Sequence, residues 1–376
     1  MEIMRGQVAI ERLASQQGDP ATLVPMQVTL HHHDLQLRAP FRIARSTTTV
    51  RRTLIVELSD GTHSGYGEVS DNSYYPQAEP RVVAELLEAL RQVLAKADPD
   101  APEQLHATCT SLLSGNSFAQ CALDMAAHDL AARRANKPLW KFWGYDYTTA
   151  PIPVSNYTLS IGNPQAVLAQ ALANPWPSYK VKLGGGEDLT TVRLLRERLP
   201  ASTRLHVDAN AGWTLGEAFA KTRQLHALDV GFVEQPLPAD AVADMRSLRD
   251  RLLAEDSQYA HHSPLIADEA CQTEADVDRC AGLYDGINIK LTKCGGPTVA
   301  RRMALRASEL GLDVMFGCMV ESSFGIGVLQ HFAPVSDYID LDGALLVSND
   351  PGQGVTFDDD GRPVEPTRPG SGIEWR

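Results

Sequence analysis

The spacing of apolar and polar residues changes twice along the chain. Residues 27–37 (QVTLHHHDLQL) alternate, which predicts a half-buried strand, and RTLIVELSDG followed by SGYGEVS predicts a hairpin over 52–70. Over 79–97 and 116–135 the apolar residues recur at three- and four-residue steps, predicting two amphipathic helices. Strands followed by helices make an α+β unit that ends near residue 150. From residue 151 the chain repeats a short apolar strand and an amphipathic stretch. Strands are predicted at 152–158, 179–183, 204–208, 230–234, 264–268, 286–290, 312–316 and 338–342. Eight strands alternating with helices are what a (β/α) barrel of the TIM kind requires. The units resemble one another in period and not in residues, so they are no sequence repeat.

Residues 1–26 mix charge throughout and lack a signal peptide's apolar stretch, so they read as a poorly ordered leader. Met26 opens the first strand and is a second candidate start. The 376-residue chain has a hydrophobic share of 43%, sufficient for a full core. Its formal charge of −13 argues against nucleic acid, which selects clustered Lys and Arg. No segment approaches the roughly 18 apolar residues of a membrane helix. The 6 cysteines form no CxxC pair, and a reduced, cytoplasmic protein is expected. His31-His32-His33 lies in an alternating strand, where at most two of three neighbours point together, and reads as a surface strand before a ligand cluster.

Chemistry-bearing residues gather at one end of the predicted strands. The second strand ends in Lys180 and Lys182, the third in Asp208, the fourth in Glu234, the fifth in Asp268 and the sixth in Lys290. The eighth carries Asp340 and Asp342. A lone Asp there is most simply a solvated strand end. A succession of them converges on the C-terminal mouth of a barrel, where active sites of this architecture lie. Asp208, Glu234 and Asp268 are an all-oxygen set, suited to Mg²⁺, with Mn²⁺ the alternative. A dication held there would polarise a substrate carboxylate and stabilise an enolate. Lys180 and Lys182, two apart on a strand, face the same side, and Lys290 stands roughly opposite. Lysines on both faces of a planar enolate would permit racemisation or epimerisation.

The runs YKVKL, HVDANAGW, VEQPL, IADEA, INIKLTKCGG and GCMVES resemble, in order, the muconate-lactonizing subgroup of the enolase superfamily. The match covers roughly residues 27–350. The resemblance implies an α/β fold, a (β/α)7β barrel over 151–345 with an N-terminal α+β capping domain over 27–150 and a segment, 346–376, returning to the cap. It implies Asp208, Glu234 and Asp268 as Mg²⁺ ligands and Lys182 and Lys290 as the acid/base pair. Lys180 would tune Lys182 and touch the substrate carboxylate, with Asn210, Glu269, Lys293 and Glu321 in support. A homo-oligomer with a small-molecule substrate is expected.

Within that subgroup, DLDG at 340–343 is similar to the Asp-x-Asp of dipeptide epimerases, whose paired carboxylates hold a free α-ammonium. Asp340 and Asp342 would share one side of the eighth strand. Two positions depart from the pattern. Ala270 follows Asp268-Glu269 where Ser is frequent, and Thr48 stands where epimerases of Ala-Glu dipeptides carry Arg. Arg45, a candidate substrate-binding residue, lies nearby with Arg51 and Arg52. The second residue of the dipeptide stays open. The competing readings are a cycloisomerase, an N-acylamino acid racemase or an o-succinylbenzoate synthase and, in another class, a barrel retired to binding or scaffolding.

Overall fold

The computed structural model describes residues 25–376 apart from 44–45, 114, 258 and 260–262. Strands β1 (Gln27–Ile43), β2 (Ser46–Ser59) and β3 (Ser64–Ser70) form an antiparallel sheet in that order. β1 runs beyond the strand predicted for it because a register shift between Gln36 and Phe41 lets pairing with β2 resume. Alternation divides β2 between two cores. Leu54, Val56 and Leu58 pack under the helices of this unit, whereas Ile55 meets Phe324 and Ile373 on the opposite face.

The helix predicted at 79–97 divides into α1 (Pro80–Ala89) and a single turn, Arg91–Leu94. A helix missed by the pattern, α2 (Pro102–Thr110), starts at a proline and buries Leu105, His106 and Cys109. α3 (Ser117–Arg134) starts where Asn116 Oδ1 accepts from Ala119 N at 3.0 Å. Its many alanines let β3 lie against its backbone. A Cβ on Gly67 would stand 2.0 Å from Ala122 O, and one on Gly65 2.2 Å from Leu130 N.

Eight parallel strands follow: β4 (Tyr157–Leu159), β5 (Ser178–Lys182), β6 (Arg204–Asp208), β7 (Val230–Glu234), β8 (Leu265–Ala267), β9 (Gly286–Ile289), β10 (Asp313–Phe316) and β11 (Tyr338–Ile339). A helix follows each of the first seven, giving the (β/α)7β alternation. The ring closes where Ser155 bridges Ile339 in parallel and Asn156 N donates to Ile339 O at 3.1 Å. That closure places the start of the sheet slightly later than the strand predicted at 152–158.

The two parts are tied together by buried polar contacts. Glu68 of β3 accepts from Ser322 N at 2.9 Å, Ser322 Oγ at 2.5 Å and Gly325 N at 2.9 Å, which satisfies donors that open the helix after β10. Arg133 of α3 donates to Ile373 O at 2.8 Å. His31 and His33 pack against Trp375, with ring centroids 5.0 and 5.5 Å away, and His31 pairs with Glu57 at 2.8 Å. His31 and His33 therefore belong to a packed strand face, while His32 is exposed on the other.

Candidate active site

Residues that end successive barrel strands meet at its C-terminal mouth. Register places Lys182 beside Asp208 and Asp208 beside Glu234, and Asp268 follows β8 directly. Asp208, Glu234 and Asp268 are all buried, and each offers a carboxylate oxygen within 4.8 Å of the others. Three carboxylates so close repel one another unless cations sit among them. Protein cations do part of this. Lys182 Nζ donates to Asp208 Oδ2 at 2.5 Å, and Lys180 Nζ to Glu234 Oε2 at 3.0 Å. Lys290 Nζ donates to Asp268 Oδ2 at 2.7 Å, and Lys293 Nζ to the same carboxylate and to Asp268 O at 2.6 Å.

These pairs are one cluster, not separate surface salt bridges. Burial pushes the Asp208 carboxyl up, but Lys182 and Lys180 outweigh it and hold it below the usual range. Lys290 and Lys293 overcome the same burial at Asp268. Glu234 goes the other way: burial first, then the Asp208 charge, raise it. The repulsion that raises it is what a further cation held among the three carboxylates would relieve. The all-oxygen, closely set donors fit Mg²⁺.

The Lys180 ammonium is bonded to Glu234 and Asp340, and against the desolvation of burial those carboxylates keep it charged. It bridges the acidic cluster to the eighth strand. Lys182 and Lys290, carried by β5 and the end of β9, line the same cleft from separated strands.

Asp340 lies just past β11, while Asp342 opens a 3-10 turn, Asp342–Leu346, so the shared strand face expected for them does not extend that far. Both still line the cleft. Asp340 Oδ1 accepts from Asn156 Nδ2 at 2.8 Å and Oδ2 from Lys180. Asp342 Oδ2 accepts from Thr158 N at 2.7 Å, and its Oδ1 has the Cys318 thiol at 3.8 Å. Burial and then the Asp340 charge raise the Asp342 carboxyl above its ordinary value. The cleft, about 400 Å³, is roofed from the cap by Phe41, Arg51 and the segment 72–75. No helix among the described residues is long and apolar enough to cross a membrane.

Residues 25–144 match the family described as mandelate racemase / muconate lactonizing enzyme, N-terminal domain, and residues 165–376 match enolase C-terminal domain-like. The chain belongs to the mandelate racemase and muconate lactonizing family. An L-Ala-D/L-amino acid epimerase of Maribacter sp. is 39% identical over 348 residues, covering 93% of this chain and 99% of the relative. The dipeptide epimerase of Cytophaga hutchinsonii, solved with Mg and D-Ala-L-Val, superposes with a TM-score of 0.85 at 27% identity, covering 94% of this chain and 96% of its own. That of Methylococcus capsulatus, solved with Mg and L-Arg-D-Lys, gives 0.83 at 29% identity and covers 93% and 99%.

Two residues of this family member around the cleft, Asn288 and Gln235, were not foreseen. Asn288 Nδ2 donates to Glu234 Oε1 at 2.7 Å. Gln235 Oε1 accepts from Asp268 N at 2.9 Å and Ala270 N at 3.0 Å, which orients the loop bearing Asp268. Gln235 and Asn210 hold φ of 36° and 46°, backbone of the kind that collects at functional sites. Asn210 N donates to Asp208 Oδ1 at 2.8 Å, and Glu269 lines the cleft beside Asp268. Glu321 is buried beneath the cleft near Met125 and Gly325, where burial and then Glu68 push it up to about 8. Arg45 lies outside the described residues.

Proposed function

We infer that this protein is a magnesium-dependent dipeptide epimerase that inverts the α-carbon of the dipeptide's C-terminal residue. The observation that carries the reading is the placement of Lys182 and Lys290 in one cleft, on β5 and at the end of β9, with the acidic cluster of β6 to β8 between them. Asp208, Glu234 and Asp268 are the residues that would hold the metal. When bound, Mg²⁺ supplies polarisation of the substrate carboxylate, which acidifies the neighbouring C–H.

The remaining work falls to the chain's own groups. Asp208 and Asp268 aim the two lysine side chains through the 2.5 and 2.7 Å bonds. An amine on one side removes the α-proton while an ammonium on the other returns one, and the roles exchange with the epimer that enters. Asp342 and Asp340 receive the α-ammonium of the first residue, since buried carboxylates facing a cleft call for a cation. An N-acylamino acid racemase would leave Asp342 against an uncharged acyl group. The 6 free thiols support a reducing, cytoplasmic setting.

Incubating the enzyme with Mg²⁺ and a dipeptide panel in D₂O tests the reading. Deuterium should enter at the α-carbon of the second residue, stop on chelation and resume when Mg²⁺ is restored. Undiminished exchange in protein shown by elemental analysis to be metal-free would contradict it.

A further inference from the structure

The cations of the cleft are not equally matched by anions. Lys180 is bonded to Glu234 and Asp340, Lys182 to Asp208 and Lys290 to Asp268. Arg51 is the exception among the described lining residues. It is 9% exposed, and within 3.5 Å it makes one hydrogen bond, Nη1 to the Asp71 carbonyl oxygen at 3.0 Å. The Asp71 carboxylate makes only a loose ion pair with it at 3.7 Å, and the Oδ1 of that pair is buried without a closer donor. Asp71 Oδ2 is instead bonded to Arg52 Nε at 3.0 Å, and Arg52 also reaches Glu79 at 2.7 Å.

A guanidinium presents five N–H donors in a fork shaped for a carboxylate. Holding one in a cleft with so little hydrogen bonding is costly until an acceptor arrives. Burial outweighs Asp71 and lowers the Arg51 pKa from its ordinary value, in keeping with an under-matched charge.

The place of Arg51 follows from the reaction. The planar intermediate has lysines above and below, so its three substituents lie in the plane between them. The carboxylate turns to the acids of β6 to β8, and the nitrogen leads to the first residue at Asp340 and Asp342. The side chain takes the remaining direction, towards the cap. There Phe41, Asn72, Tyr74 and Tyr75 give neutral walls, and Arg51 gives the charge. Strand alternation sets Arg51 on the barrel side of β2 with Thr53 and Ile55, while Arg52 faces outward.

We propose that Arg51 receives an anionic side chain on the second residue, so that the substrates are dipeptides ending in an acidic residue. This rests on the dipeptide-epimerase reading, and it lets a cap residue other than the one at position 48 perform acid recognition.

The test compares kcat/KM for L-Ala-L-Glu, its neutral isostere L-Ala-L-Gln, and L-Ala-L-Met, on wild type, Arg51→Gln and Arg51→Lys with Mg²⁺. Wild type should favour the Glu compound over the Gln compound by about tenfold or more, mainly through KM, as a charge-assisted hydrogen bond requires. Arg51→Gln should erase that ratio, and Arg51→Lys, which keeps the charge, should retain part of it. Equal or better turnover of the Gln or Met compound by wild type would overturn the proposal, as would an unchanged ratio in a folded Arg51→Gln. If Arg51→Gln does not fold, the wild-type and Arg51→Lys ratios decide. Absence of turnover with every dipeptide would be a different result, the failure of the epimerase reading itself.

Discussion

Replacing Asp342 with Asn removes a charge and little else. The side chain is 2% exposed, and the Thr158 N–H that donates to Oδ2 at 2.7 Å can still be received by the amide oxygen. The other oxygen has the Cys318 thiol at 3.8 Å, and the carboxylate lines the cleft where a ligand would meet it. With an α-ammonium there, the variant turns a charged hydrogen bond into a contact between an amide and a cation. Loss of such a buried interaction is on the order of 2–5 kcal/mol, or about 30- to several-thousand-fold in kcat/KM. Acetylating the dipeptide's amino group should cost wild type a similar factor and Asp342→Asn far less, because both changes break the same pair. Mg²⁺ affinity should hardly change, since Asp342 bonds to none of the three acids. The assay is kcat/KM for free and N-acetylated dipeptide on both enzymes, with calorimetry of Mg²⁺ binding. Equal or better turnover of the acetylated compound by wild type would refute the reasoning.

The pH response of the same residue has a definite sign. The ionised carboxylate binds the ammonium and its pKa is raised, so the dipeptide KM should climb as pH falls through a value above the ordinary aspartate range, a dependence that Asp342→Asn should lack. Asn288→Ala leaves Glu234 without its 2.7 Å donor, and Mg²⁺ affinity by calorimetry should weaken about 10- to 100-fold; an unchanged affinity would remove Asn288 from the site. Gly67→Ala drives a methyl to 2.0 Å from the backbone of α3, and thermal unfolding should show a loss of about 1–3 kcal/mol or more.

Charged residues ending apolar strands made Asp208, Glu234, Asp268, Lys182 and Lys290 visible, because a barrel turns strand ends into neighbours. What escaped was neutral and non-local. Asn288 stands two residues before Lys290, and Asn156 two before Thr158. Strand alternation puts Asn288 on the side of Lys290, as it puts Lys180 with Lys182. Glu234 and Asp340, the partners of Asn288 and Asn156, lie across the barrel, a relation that local spacing does not contain. The same holds for Lys180: its spacing relates it to Lys182, while its bonds to Glu234 and Asp340 cross between strands. The cap's contribution at 72–75 belongs to a segment without period, and α2 was hidden by its weak alternation. The length of the eighth strand was overestimated, since a 3-10 turn interrupts it at Asp342.

The central claim is that two lysines act on opposite faces of one α-carbon, and stereospecific exchange tests it most directly. Each epimer of a turned-over dipeptide is incubated in D₂O with wild type, Lys182→Ala and Lys290→Ala, and α-deuterium is followed by NMR. Both variants should lose epimerisation. Each should retain exchange with one epimer, the opposite one in the two cases, while exchange with the other falls at least tenfold, a barrier increase of about 1.4 kcal/mol. Exchange undiminished in either variant, or loss confined to the same epimer in both, would contradict the account.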